Sequence, residues 1–548
     1  MPPDQQLLSR QQAEQSGSPR ARERWLPFCH RVVFSRVVFS RVVFGRVVFG
    51  PVVIGTAVTA AGALAWILFF PRVGTDLSAA YARAYWASHY PTAAYLFSWY
   101  GGIHPASYSL LAPYVLAVAG TRLAMAVAAV ISAVLLTSLL VRHQVPRPRV
   151  AAVWVGVALL TELSAGRAPF TLGLAAALGC VVVADVSRKR SPGRLVAAAC
   201  LALLCCLLSP VAALFLGVVA AVFALARHWA RAVVVIVAAS LPLAVMALFS
   251  DGGYQPLTVQ NWLPPLLAVA GVLLLIPRRW RMLRAGAVVY GLGVLLTLAV
   301  PSLIGSNVTR LGELLAGPVL SGLGSARHRW LLVIALGGAA VWQVAQPAAD
   351  LSQGNAPAYA PQTAALVREL QALHADTARV EAVPQYGHWE SQELAAVVPL
   401  ARGWERQVDI ERNPLFYHGV LTPSAYYDWL RYNAVRYVAI SAATPDPAAV
   451  AEAATINEGQ PWLVPIWHNA FWRLYRVTGT DPLTSPPGTV SASTPAQITV
   501  RMSRAGTTTV RVHWSPLLRA AGAVVAQAGP WTSLAVRHAG TYLLTAPY

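Results

Sequence analysis

The residue best suited to chemistry is Asp76, which opens a long aromatic segment, residues 71–120, lying between two strongly apolar stretches. It is the only acidic residue between Glu23 and Glu162. A carboxylate beside hydrocarbon is costly, of order +2.5 to +3.5 kcal/mol at a helix centre and less at its edge, which makes Asp76 a functional candidate by default. Around it lie Tyr81, Tyr85, Trp86, His89, Tyr90, Trp99, Tyr100 and His104. Such rings stack on sugars or headgroups, and a carboxylate among them serves as a general base or a metal ligand. The set reads as a catalytic Asp76 with Tyr85, Trp86, His89 and His104 as substrate-binding residues. The competing reading is an interfacial aromatic belt around a solvated acid.

Further polar residues fall on the same outer side of the membrane once the topology given below is accepted. Glu162 and Arg167 stand in TELSAGRAPF, Asp251 in SDGGYQP, and Asn307, Arg310 and Glu313 in SNVTRLGELL. Arg310 and Glu313 are three apart on an expected helix, the spacing of a structural ion pair; the alternative is a phosphate-binding arginine. Arg122 and Arg167 are further cations able to meet a lipid-linked phosphate. Downstream, HWESQELAAVVPLARGWERQVDIERNPLFYHGVL gathers His388, Trp389, Glu390, Arg402, Trp404, Glu405, Arg406, Asn413 and Tyr417. Trp389, Trp404 and Arg406 there are candidates for glycan binding, against a plain packed domain in which tryptophans fill a core and Arg/Glu pairs satisfy each other. His388 and Glu390 alone do not make a metal site.

What must position these residues is a set of membrane spans. Arginine clusters at 142–149, 188–194, 227–231, 278–284 and 327–329 divide the first 346 residues into apolar stretches. If all the clusters face the cytoplasm, each stretch between them is a hairpin. The expected spans are 52–70, 121–141, 150–162, 168–186, 195–208, 211–226, 232–248, 262–276, 285–301, 311–324 and 331–346. These are about eleven, an odd number, so the N-terminus is cytoplasmic and the C-terminal region lies outside. Residues 106–119 read as an interfacial or re-entrant helix. The chain is 56% hydrophobic, as a polytopic membrane protein is and a soluble domain is not.

The net charge of +20 does not point to nucleic acid, because from residue 347 onward Arg and Asp/Glu balance at fourteen each. The excess sits in the membrane part, where it sets topology. Cys29, Cys180, Cys200, Cys205 and Cys206 all precede residue 347 and have neither disulfide nor metal spacing. Residues 1–50 form a basic cytoplasmic tail in which RVVF(S/G) repeats from Arg31 to Gly50. A five-residue period matches neither helix nor strand, so the repeat reads as a tandem duplication in preference to a membrane-surface segment.

The divisions that follow are a tail at 1–50, a transmembrane domain at 51–346, an α/β domain at 362–480 and a β-sandwich-like module at 490–548. In the third, ALVRELQAL and SAYYDWLRYNAV have helical periodicity, while RVEAVP and RYVAI alternate as strands. In the last, ITVRMSRAGTTTVRVHW and WTSLAVRHAGTYLLTAPY alternate strongly between turn residues. The fold class is an α-helical polytopic membrane protein carrying an exocytoplasmic α/β domain followed by a small β-sandwich.

Many spans, a long first external loop with an acid just after the first span, and an exported C-terminal part resemble the GT-C superfamily of membrane glycosyltransferases. GRAPFTLG and PLARGWERQ also look like segments of actinobacterial membrane proteins of unassigned role. The resemblance implies that Asp76 is the catalytic base and metal-associated acid, which leaves room for a divalent cation. It also implies a polyprenyl-phosphate sugar as donor and an envelope glycan or lipid as acceptor. Many members pair two acids in this loop or the next, whereas here Asp76 stands alone. No P-loop GxxxxGK[ST] is present, in keeping with a lipid-linked donor. The alternatives are a transporter or flippase of an envelope lipid or polymer, and a non-catalytic envelope-assembly protein.

Overall fold

A computed structural model describes residues 46–70, 74–353 and 360–548. The RVVF repeats lie outside these residues, apart from the last copy, which opens the first helix.

Each stretch expected to span the membrane is helical: α1 (Arg46–Phe69), then, after α2 (Leu77–His89) and α3 (Ala112–Ala119), α4 (Thr121–Arg142), α5 (Pro148–Ser164), α6 (Ala168–Ala184), α7 (Pro192–Leu208), α8 (Pro210–Leu225), α9 (Trp229–Ala247), α10 (Val259–Leu275), α11 (Arg281–Ala299), α12 (Thr309–Leu323) and α13 (Arg329–Gln353). Proline stands in the first turn of α5, α6, α7 and α8, where its missing N–H costs nothing. Among the described residues five helices, α1, α4, α9, α11 and α13, are long and apolar enough to cross a membrane, while α6, α7, α8 and α10 are apolar but shorter.

The packing is that of a membrane protein. Small residues fill the helix contacts, among them Ala128, Ala129 and Ala133 of α4, Ala151, Ala152 and Ala158 of α5, and Ala198 and Ala202 of α7. Large ones point outward, including Leu64, Leu68, Leu241, Leu296, Val333 and Ile334. Helices in lipid gain nothing by hiding leucine from their surroundings and associate through close backbone approach. In water the same apolar girdle would be an aggregation surface. The segment expected at 106–119 is a 3-10 turn, Pro105–Ser107, followed by α3, which breaks at Gly120 before α4.

The C-terminal region begins with α14 (Ala360–Ala372) and β1 (Arg379–Ala382), and continues through α15 (Trp389–Glu393), α16 (Arg406–Arg412), α17 (Pro423–Tyr432), β2 (Val435–Ser441), α18 (Val450–Asn457), β3 (Leu463–His468) and β4 (Trp472–Val477). These strands form one mixed sheet of order β1-β2-β4-β3, with β1 and β2 parallel and the other pairs antiparallel. Helices pack on both its faces: Leu366 and Leu370 meet Val380, Ala439 and Leu474, while Leu430 and Ile456 meet Val435, Val438 and Ile440. Six further strands follow: β5 (Gly488–Thr494), β6 (Gln497–Met502), β7 (Gly506–His513), β8 (Ala523–Ala528), β9 (Trp531–Val536) and β10 (Gly540–Thr545). Two three-stranded sheets, β10-β6-β5 and β7-β9-β8, enclose Ile498, Val500, Val510, Val512, Leu534 and Leu544.

The loop after α2 ties these parts together. Tyr95 and Phe97 are buried in the sandwich core, and Trp99 and Tyr100 in the core of the mixed sheet. Backbone bonds follow the same path: Ala94 N–H to Ala546 O at 2.7 Å, Phe97 N–H to Pro495 O at 2.7 Å, Leu400 N–H to Ser98 O at 2.8 Å and His513 N–H to Gly101 O at 2.8 Å. Gly403 makes room for this crossing, since a Cβ there would come within 2.3 Å of the Trp99 ring.

Candidate functional site

Asp76 sits at the N-cap of α2, a position where aspartate ordinarily accepts a bond from the first-turn N–H groups. Here its side chain caps nothing. It is 28% exposed, and its oxygen lies 3.8 Å from Nη2 of Arg310. That separation exceeds a hydrogen bond and leaves the carboxylate available to a third group. Its backbone is anchored by a bond from Asp76 N–H to Ala165 O. Gly166 permits that contact: its φ is +76°, and a Cβ would come within 2.5 Å of the Leu77 nitrogen.

Arg310 comes from the first turn of α12 and its guanidinium lies over the Phe170 ring at 5.3 Å. Arg167 stands between two acids, with Nη1 3.2 Å from Glu162 and 3.1 Å from Glu313, and Glu313 also accepts from the Thr309 hydroxyl at 3.0 Å. Arg310 and Glu313, three residues apart, therefore take different partners. Arg167 is balanced by two carboxylates, whereas Arg310 has only the distant Asp76 among the described ion pairs.

A second layer closes the site from the C-terminal side. Arg83, two helical turns after Asp76, pairs with Glu405 at 2.6 Å and lies 4.0 Å from the Tyr108 ring centre. Burial, and then the Asp76 charge, push the Tyr108 hydroxyl above its ordinary pKa against the pull of Arg83 and Arg310. Burial likewise raises the Glu405 carboxyl despite Arg83. Arg83 and Tyr108 were not singled out from sequence, although a seven-residue step along a helix returns to the same face and pointed from Asp76 to Arg83. Arg83 also lines a narrow crevice of about 30 Å³ with Trp86, Tyr90, Leu96, Pro113 and Tyr114.

Several sequence candidates are used structurally. Arg122 donates to the carbonyls of Trp66, Ile67 and Phe70, so it caps the end of α1 and is not directed at a phosphate. Trp86 is buried edge-on against Trp99, with ring centres 4.6 Å apart. His104 is bracketed by Asp251 at 2.9 Å and Ser515 at 2.9 Å, and Arg412 also reaches Asp251 at 3.1 Å. The ring nitrogens of His104 are thus spent on joining the loop to its neighbours. Tyr85 stacks on the exposed His89 at 4.1 Å. Asn307 is half-buried in the 3-10 turn Gly305–Val308 that leads into α12.

The expected glycan face is also reshaped. Trp389 is 6% exposed and packs against Tyr81, so its ring fills a core and is not offered to a sugar. Trp404 is covered on one side by His388, stacked at 3.4 Å, and approached by the Arg406 guanidinium at 4.8 Å. Arg406 holds Asp446 with two bonds of 3.0 and 2.6 Å.

His388 Nε2 lies 3.3 Å from Asp446 and Nδ1 3.6 Å from Glu390. Burial lowers the His388 pKa, but the two carboxylates outweigh it and the net shift is upward. Histidine charged more readily in the folded than the unfolded state stabilises fully below its unfolded value of about 6.5, and that contribution is lost as pH rises through the folded value. Thermal unfolding of the full chain, followed by tryptophan fluorescence, is expected to shift downward above about pH 6.5. His388→Gln is expected to remove that slope, and an unchanged slope would refute the assignment.

Among the described residues no group of three or more His, Cys, Asp or Glu is arranged to hold a metal. Among the described residues the ion-pair neighbour of Asp76 is the cation Arg310, and a single carboxylate beside a guanidinium does not fit a divalent cation, so no step below uses one.

No family model matches the chain, and no curated protein is significantly similar to it. Among solved structures the chain is similar to the cryo-EM structure of the arabinofuranosyltransferase AftD from Mycobacteria, at 15% identity and a TM-score of 0.44, over 84% of this chain and 41% of that one. It is similar also to a mutant form of AftD, at 14% identity and a TM-score of 0.43, over 90% of this chain and 59% of the other. The chain spans less than two thirds of the length of either structure, and at such TM-scores neither carries an argument about this chain.

Proposed function

We propose that the protein is a GT-C-type membrane glycosyltransferase that moves a sugar from a polyprenyl-phosphate donor to an envelope glycan or lipid on the outer face of the membrane. In this reading the N-terminus is cytoplasmic, the helices α1 and α4–α13 cross the bilayer, and the C-terminal region is exocytoplasmic. The observation that carries it is the uncapped, partly exposed Asp76 carboxylate facing a buried Arg310 across a gap. The acceptor hydroxyl gives its proton to Asp76 as its oxygen bonds to the anomeric carbon. The bond from that carbon to the phosphate oxygen breaks, and the electron pair leaves with the phosphate. Arg310 neutralises the charge that develops there, a task for which a guanidinium fork is suited. Asp76 then releases its proton to solvent.

Arg310→Ala is expected to reduce transfer about 10- to 100-fold, the range of a lost charge-assisted hydrogen bond. Arg310→Lys keeps the charge without the fork and is expected to fall between the two. The assay is conversion of lipid-linked sugar in membranes, with protein levels matched. Unchanged transfer in Arg310→Ala would remove this residue from the donor site.

A further inference from the structure

We propose that the cleft at the carboxyl ends of β1 and β2 is a docking site for a glycan bearing a carboxylate group, distinct from the transfer site at Asp76. The two strands run parallel, with Ala382 aligned to Ala439, and the chain leaves them as 383–385 and 442–445. In open α/β sheets ligands bind where parallel strands end and their connections part. Helix α18 forms the facing wall, and the open cleft offers a volume of about 410 Å³, toward the lower end of the range of ligand-binding cavities.

The lining decides the ligand class. Val383, Ile440, Pro445 and Ala453 supply apolar walls of the kind that pack on the C–H faces of sugar rings. The polar lining is Gln385, Ser441, Asn457 and Arg473, with no acid among the lining residues. Gln385 is 3% exposed and its side-chain nitrogen has no hydrogen-bond partner. A buried amide N–H left bare is an uncommon arrangement that an acceptor from outside would complete. Arg473 is exposed on β4 and donates to the Asn457 side chain, which leaves further guanidinium donors over the cleft. An amide donor and a guanidinium beside apolar walls select an anionic acceptor, and a carboxylate matches both. That the carboxylate belongs to a glycan rests on the proposed envelope function; the donors themselves do not.

The test uses the full chain in nanodiscs and saturation-transfer NMR titrations with three probes: a disaccharide ending in glucuronate, its neutral glucose counterpart, and acetyl-Ala-Ala with a free carboxylate. The acidic disaccharide is expected to bind at least tenfold more tightly than either of the others. Arg473→Ala is expected to weaken it tenfold or more. Ala454→Trp, at an exposed position of α18 facing the cleft, is expected to abolish binding without unfolding the protein, with the thermal melt as the check. Asp76→Asn is expected to leave binding unchanged. Equal binding of the acidic and neutral sugars, tighter binding of the peptide, or indifference to Ala454→Trp would overturn the proposal. Because binding is read without transfer, an active Asp76→Asn variant would defeat the transferase reading and leave this result standing.

Discussion

Replacing Asp76 with asparagine is expected to slow sugar transfer about 10²–10⁴-fold, the contribution of a positioned general base, while the protein remains folded in the membrane. Asparagine keeps the size and outline of the side chain and loses the ability to take a proton. Little stability is at risk. The carboxylate does not cap α2, and its only described ion pair, with Arg310, is at 3.8 Å with 28% of the side chain exposed. A pair longer than a hydrogen bond and open to solvent on its Asp76 side, although Arg310 is buried, is expected to be worth about 1 kcal/mol. The measurement is mass spectrometry of polyprenyl-phosphate sugars and envelope glycans in a deletion strain complemented with wild type or with Asp76→Asn at equal membrane levels. Accumulation of a lipid-linked sugar together with loss of one glycan residue, reversed only by wild type, is the expected result. Full complementation by the variant would make Asp76 an ordinary interfacial acid and end the mechanism proposed above.

The helices were the most legible feature, because arginine clusters and apolar stretches are local signals. The alternating runs RVEAVP and RYVAI likewise appear as β1 and β2, and ITVRM as β6. What sequence did not disclose are partnerships across long separations. Tyr95 and Phe97 are aromatic residues without periodicity, and nothing near them announces a β-sandwich core some four hundred residues away. Asp76 was visible as an isolated acid, but its partner Arg310 lies in a different helix, and the i, i+3 spacing pointed to Glu313 instead. Trp389 and Arg122 show the reverse error. A tryptophan in a polar stretch and an arginine near a membrane edge were read as ligand contacts, whereas one fills a core and the other caps α1. Residue type says what a side chain can do, and only the neighbours say which of those things it does.

The network around Arg402 shows how far such neighbours can depart from a surface reading, and its removal carries the largest expected loss of stability. Arg402 is buried between Glu381, at 2.9 Å, and Glu452, which also accepts from the Tyr426 hydroxyl at 2.7 Å. Its guanidinium lies 3.8 Å from the Phe416 ring centre. Burial pushes both carboxyls above the usual range, with Arg402 pulling the other way. Arg402→Met keeps much of the volume and leaves two acids buried without a cation, a change expected to cost about 3–5 kcal/mol. The loss has a pH signature. With their folded values raised still further, Glu381 and Glu452 bind protons in the folded state that the unfolded chain, titrating near about 4.3, releases. The deficit should therefore be largest at neutral pH and shrink as pH falls toward the ordinary glutamate range. The triple variant Glu381→Gln, Arg402→Met, Glu452→Gln removes the charges together and is expected to recover most of the stability at pH 7, since a buried ion network is often no better than neutral groups that pack as well. Thermal unfolding of the three proteins by tryptophan fluorescence, at pH 5 and pH 7, separates the two causes. A deficit that is independent of pH and persists in the triple variant would assign the loss to packing against Phe416 instead of to the buried charges.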